Sequence, residues 1–128
     1  MDKETKEYID YSIQQSIVQL KLSGIIKDSS KSAFEKTEEL LKNYPALKMS
    51  NERRAKTTIR KIEQAFDLIK DDPYFEVIRL FYVSDCTREE IAELYDTSVT
   101  TISRNKKRLV NKMKAALFGT DFVTELYS

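Results

Sequence analysis

The stretch "TREEIAELYDTSVTTISRNKKRL", residues 87–109, constrains the fold most, because it carries two helix starts with barely three turns of chain between them. Thr87 and Glu90 have the spacing of a capping box, in which each side chain answers a free backbone donor of the other. Cys86 and Ile91 flank that box as a hydrophobic staple, so a helix is expected to begin at Arg88. Ile91 and Tyr95 supply its inner face, and Ala92 is small where a second helix must cross closely. Asp96 falls where the chain needs a left-handed residue, a conformation that Asp tolerates better than most. Ser98 then caps the second helix, and Ile102 reaches back into the core. Two helices joined by a tight turn satisfy all of these positions together.

At about 100° per residue, the second helix turns Ile102, Leu109 and Met113 toward the protein. The opposite side collects Thr100, Arg104, Lys107 and Asn111, flanked by Ser103, Arg108 and Lys114. The run from Ser98 to Lys114 holds six lysines and arginines and no acid, although the whole chain is only +1. Between Ser84 and Thr97 the balance is reversed, with five acids against Arg88 alone. A basic face beside an acidic helix implies two kinds of partner surface. On duplex DNA, Arg104 can donate a bidentate pair to guanine, and Thr100 or Ser103 can meet base edges or phosphate. Lys107, Arg108 and Lys112 are placed to bind phosphates and release counterions. Glu89, Glu90 and Glu93 are expected to face solvent or a protein.

The rest of the chain reads as helices, and only two Gly and two Pro leave little material for long loops. Ile9, Ile13, Ile17 and Leu20 form one helical stripe, with Gly24 expected as its C-cap. The stripe suits either packing in the chain's own core or self-association. Ser32 and Glu35 repeat the capping-box spacing ahead of a helix from Ala33 to about Asn43, which Pro45 is expected to stop. A third helix is expected from about Ser50 to Lys70, burying Ile59, Ile62, Phe66 and Ile69. Asp72 is then expected as N-cap and Pro73 as the first residue of an apolar helix carrying Phe75, Val77, Ile78, Phe81 and Tyr82. These elements divide the chain into an N-terminal helical region (1–71), a C-terminal helix-turn-helix domain (72–118) and a tail (119–128). The tail shows Phe122, Val123, Leu126 and Tyr127, which either fold back on the core or dock a partner.

Several functions are disfavoured by what the chain lacks. With no His and a single Cys86, zinc sites built from His and Cys, and Ser-His or Cys-His nucleophile pairs, have no residues to form them. No Gly-rich phosphate loop is present, so no catalytic, cofactor or metal site is expected and the chain is not expected to be an enzyme. The mixed charges of "MDKETKEYID" do not resemble a signal peptide, and no apolar run reaches the length of a membrane span. A cytoplasmic protein without membrane contact is expected.

From about Pro73 to Leu117 the chain resembles region 4 of sigma-70-type factors, in which a helix leads into "T-x-E-E-I-A-E-L", a turn, a capped helix and a basic continuation. Here those residues read "TREEIAELYDTSVTTISRNKKRLVNKM". The segment "YIDYSIQQSIVQLKLSGIIKDSSKSAFEKTEELLKNYPALK" looks like the leader of ArpU-type phage late transcription regulators. The resemblance implies an all-α fold, with N-terminal helices joined to a C-terminal helix-turn-helix of sigma region 4 type. It implies base contacts at Val99, Thr100, Thr101, Ser103 and Arg104, and backbone contacts nearer Lys107 and Arg108. With Ser98, Asn111 and Lys112, these make the candidate DNA-binding set. The function implied is a sequence-specific regulator of phage or prophage late genes, acting on double-stranded DNA with bacterial RNA polymerase in the host cytoplasm. A helical adaptor that binds polymerase or another regulator, without reading DNA, is the alternative. Val99 and Thr101 stand where sigma factors often carry basic residues, so the sequence read should differ from an ordinary promoter's. Asn105 stands where an apolar residue is common, and no sigma region 2 is apparent.

Overall fold

The computed structural model describes residues 24–118. The fold is all-α, with helices and turns and no strand among the described residues. Residues 24–27 are helical and bury Ile25 and Ile26, so Gly24 lies within helix and does not end one as expected. The stripe from Ile9 to Leu20 and the tail with Phe122 to Tyr127 lie outside the described residues.

Helix α1 (Ala33–Lys42) starts at Ser32, whose Oγ accepts from the Glu35 backbone N–H at 3.1 Å. The Glu35 carboxylate returns to the Ser32 hydroxyl at 3.2 Å, so the capping exchange runs through side chains on its second leg. Thr37, Leu40 and Leu41 form the buried edge. Pro45 was expected only to stop this helix. It sits instead in the first turn of a new short helix, α2 (Tyr44–Lys48), because its missing N–H matters least at a helix start.

Helix α3 (Arg53–Ile69) begins three residues later than expected. Glu52 is its cap, accepting from the Ala55 N–H at 3.0 Å, while the Ser50 hydroxyl accepts from the Glu52 N–H at 3.1 Å. Ala55, Thr58, Ile62, Ala65, Phe66 and Ile69 are buried and Ile59 is half-buried, as an amphipathic stripe requires.

The next start differs more. Asp72 does not cap a helix at Pro73. Its Oδ1 accepts from the Tyr74 N–H at 2.9 Å and its carbonyl accepts from the Phe75 N–H at 3.0 Å, closing a turn that delays helix α4 to Phe75–Ile78. A π-helical turn, Arg79–Val83, continues α4, with the Ser84 N–H donating to the Arg79 carbonyl at 3.0 Å. Asp85 follows at φ 56°.

Helix α5 (Arg88–Leu94) has the complete Thr87–Glu90 capping box. It ends in a Schellman turn: the Thr97 N–H donates to the Ala92 carbonyl at 3.0 Å and the Asp96 N–H to the Glu93 carbonyl at 3.1 Å. That geometry places Asp96 at φ 51°, the left-handed position anticipated for it. Helix α6 (Val99–Leu117) then starts on Ser98, whose Oγ accepts from the Thr101 N–H at 3.1 Å.

The larger core cluster joins Leu40 and Leu41 of α1, Ile62, Phe66 and Ile69 of α3, and Leu109, Val110, Met113 and Leu117 of α6. A smaller one joins Val77, Ile91, Ala92 and Ile102, with Tyr74 and Phe81 packed against both. The larger cluster draws on both sides of residues 70–72, where the sequence places a boundary: Leu109, Val110, Met113 and Leu117 pack with residues of α1 and α3. No helix among the described residues is long and apolar enough to cross a membrane.

Candidate nucleic-acid interface

Helix α6 is about 28 Å long and contains no acidic residue. Its inner side buries Ile102, Leu109 and Met113, as the periodicity required. On the outer side Thr100, Arg104 and Lys107 are exposed and Asn111 is half-buried, while Ser103, half-buried, and Lys112, exposed, lie on its flanks. Arg104 and Lys107 enter no ion pair among the described residues. At the N-terminus Val99 is 37% exposed, and the Ser98 and Thr101 hydroxyls lie 2.9 Å apart in a mutual hydrogen bond. Ser98 and Thr101 are thereby engaged in starting the helix. Val99, Thr100, Ser103 and Arg104 form one patch, linked by i, i+4 neighbours.

Two bases of the run are engaged inside the protein. Arg108 donates from Nη1 to Asp72 Oδ2 at 2.8 Å and from Nη2 to Asp72 Oδ1 at 2.9 Å. This bidentate pair holds the Asp72 carboxyl down, to about 2, and raises the guanidinium's own pKa. Asn105 completes the arrangement: its Oδ1 accepts from Arg108 Nε and Nη2 at 3.2 and 3.1 Å, and its Nδ2 donates to the Thr101 carbonyl at 2.9 Å. The unexpected Asn at this position is therefore a polar brace for Arg108.

Lys106 is the second. Only 7% exposed, its Nζ donates to Glu38 Oε2 at 3.3 Å and to the Tyr82 hydroxyl at 3.2 Å, 4.4 Å from the Phe81 ring centroid. Tyr82 in turn donates to Glu38. Burial lowers the Lys106 pKa, with Glu38 opposing, and burial followed by the bond to Glu38 raises that of Tyr82. Sequence reasoning counted Lys106 only as one of six bases. Its register was the available signal: it follows Ile102 by four residues, about 40° around the helix, in the middle of the buried stripe.

The neighbouring surface is acidic. Glu89, Glu90 and Glu93 are exposed on α5, and Leu94, 69% exposed, borders a depression of about 330 Å³ lined also by Cys86, Glu90 and Glu93. At the end of α5, Tyr95 is stacked on Tyr74 with ring centroids 5.4 Å apart and donates to the Pro73 carbonyl at 3.2 Å. Comparison of the chain with family models, curated proteins and solved structures finds no match.

Proposed function

We propose that this chain is a sequence-specific DNA-binding transcription regulator, with α5 and α6 acting as a helix-turn-helix and the first half of α6 lying in the major groove. The observation that carries this is the acid-free outer face of α6, where Thr100, Arg104 and Lys107 are exposed while the neighbouring Lys106 and Arg108 are engaged internally. Arg104 reads base edges, and Lys107 and Lys112 hold phosphates. Arg108 acts in this reading as a brace that fixes the helix to the Asp72 turn, and no longer as a primary phosphate contact. The likeness of residues 73–117 to sigma region 4 supports a role with RNA polymerase in a bacterial cytoplasm, and the likeness of the N-terminal segment to the leader of ArpU-type regulators supports activation of phage or prophage late genes.

Selection from a random duplex pool, using the full chain, tests the reading. An enriched motif is expected, on which Arg104→Ala weakens binding by about 1–3 kcal/mol and relaxes selectivity. Full affinity and selectivity in that variant at matched salt would remove Arg104 from the reading face. The acidic α5 surface with exposed Leu94 favours a second reading, an adaptor for polymerase or another regulator. Capture of purified polymerase without DNA, with no motif enriched by folded protein, would favour the adaptor.

A further inference from the structure

The chemistry of the exposed face restricts which bases it can distinguish, and this inference rests on the DNA-reading function proposed above. Each base edge in the major groove needs a particular partner: a bidentate Asn or Gln for adenine, an acid for cytosine, Arg or Lys for guanine, and an apolar group for the thymine methyl. Helix α6 contains no Asp, Glu or Gln. Of its two asparagines, Asn105 is engaged on both sides of its amide, with the Thr101 carbonyl and with Arg108. Asn111 lies about 20 Å along the helix from Ser98, beyond the turns that enter the groove first. The Ser98 and Thr101 hydroxyls are engaged with each other, and a hydroxyl such as that of Ser103 bonds any base without selecting one.

What remains is apolar and cationic. Val99 presents a branched side chain with no polar atom, 37% exposed, and Thr100 adds a second exposed methyl. Arg104, four residues after Thr100 and without an ion pair among the described residues, supplies the fork that fits guanine O6 and N7. We infer that the face recognises thymine and guanine, with Val99 and Thr100 packed on a thymine C5-methyl and Arg104 bonded to a nearby guanine. Adenine and cytosine enter the site only as the Watson–Crick partners of those two bases.

The test uses the full chain on the duplex enriched by selection, with single bases replaced. Deoxyuridine in place of one thymine removes only the methyl, and 7-deazaguanine in place of one guanine removes only N7. The first change is expected to weaken binding about fourfold, the factor for one methyl-sized apolar group, and to have little effect on the double variant Val99→Ser, Thr100→Ser, which carries no methyl at either position. The second is expected to weaken binding at least about fivefold, and to have no effect on Arg104→Ala. All three substitutions are at exposed or partly exposed positions, and far-ultraviolet circular dichroism confirms that the variants fold. Indifference to every deoxyuridine substitution, or a loss that persists in the double variant, would overturn the thymine assignment while leaving DNA reading intact. Sensitivity to 7-deazaadenine in place of 7-deazaguanine would overturn the guanine assignment. No enrichment by folded protein would overturn the parent function and this inference with it.

Discussion

Asp72→Asn isolates the charge of the Asp72–Arg108 pair, since the amide oxygen can still accept from the Tyr74 N–H that closes the turn. Holding the carboxyl at about 2 against an ordinary 3.8 corresponds to a ceiling of about 2.4 kcal/mol at 1.36 kcal/mol per pH decade. The Arg108 side chain is 39% exposed, so solvent screens the pair and the expected contribution is about 1 kcal/mol. The folded carboxyl is more acidic than the unfolded one. The stabilisation is therefore complete above about pH 4 and is lost as pH falls toward about 2. Urea unfolding followed by circular dichroism should show the variant about 1 kcal/mol less stable near pH 6, with the two proteins converging between about pH 4 and 2. At neutral pH the same difference should lower Tm by about 3–4 °C. A difference that stayed constant through that acid range, or none near pH 6, would refute the ion pair as the source of the stability.

Three further pairs of substitutions test other parts of the structure. In Glu38→Ala the buried Lys106 ammonium and the Tyr82 hydroxyl lose their common acceptor, for a cost of about 3 kcal/mol in urea unfolding. Lys106→Met keeps the stem and leaves Glu38, 23% exposed, able to reach water; it should cost less, and the reverse order would contradict the burial of the charge. At the left-handed Asp96, Gly is expected to stabilise by about 0.5 kcal/mol and Val to destabilise by at least about 1 kcal/mol. Equal thermal stability of both variants would contradict the positive φ. On the selected DNA, Lys107→Ala should reduce the slope of log affinity against log salt by about 1, whereas Arg108→Ala should leave the slope near that of the parent and lower stability instead. Equal slope changes in the two would place Arg108 on phosphate.

The features legible in the sequence are those fixed within a turn or two of chain. The caps at Ser32, Thr87 and Ser98, the left-handed Asp96 and the inward Ile102, Leu109 and Met113 follow from spacing, because their partners are near neighbours. Lys106 and Arg108 were not legible as internal residues: the former meets Glu38 across 68 positions, and the latter meets Asp72 across 36. Asp-Pro at residues 72–73 is a good helix start by local propensity, yet the Asp72 carboxylate bonds instead to Tyr74 and Arg108. The polar Asn105 answers to Arg108 beside it, a contact that no local pattern shows. The exposed half of the candidate face was thus better defined by pattern than the interior contacts that decide which of its bases are available.

The buried Lys106 contact bears on how freely such a unit can be recombined. Cut from the chain at residue 72, the part from α4 to α6 would leave Lys106 without Glu38 and would expose Leu109, Val110, Met113 and Leu117 where α1 and α3 had covered them. A chimera that keeps α6 would have to import the surface of α1 around Glu38 as well, so under the proposed DNA-reading role specificity is more simply altered by changing Val99, Thr100 and Arg104 in place.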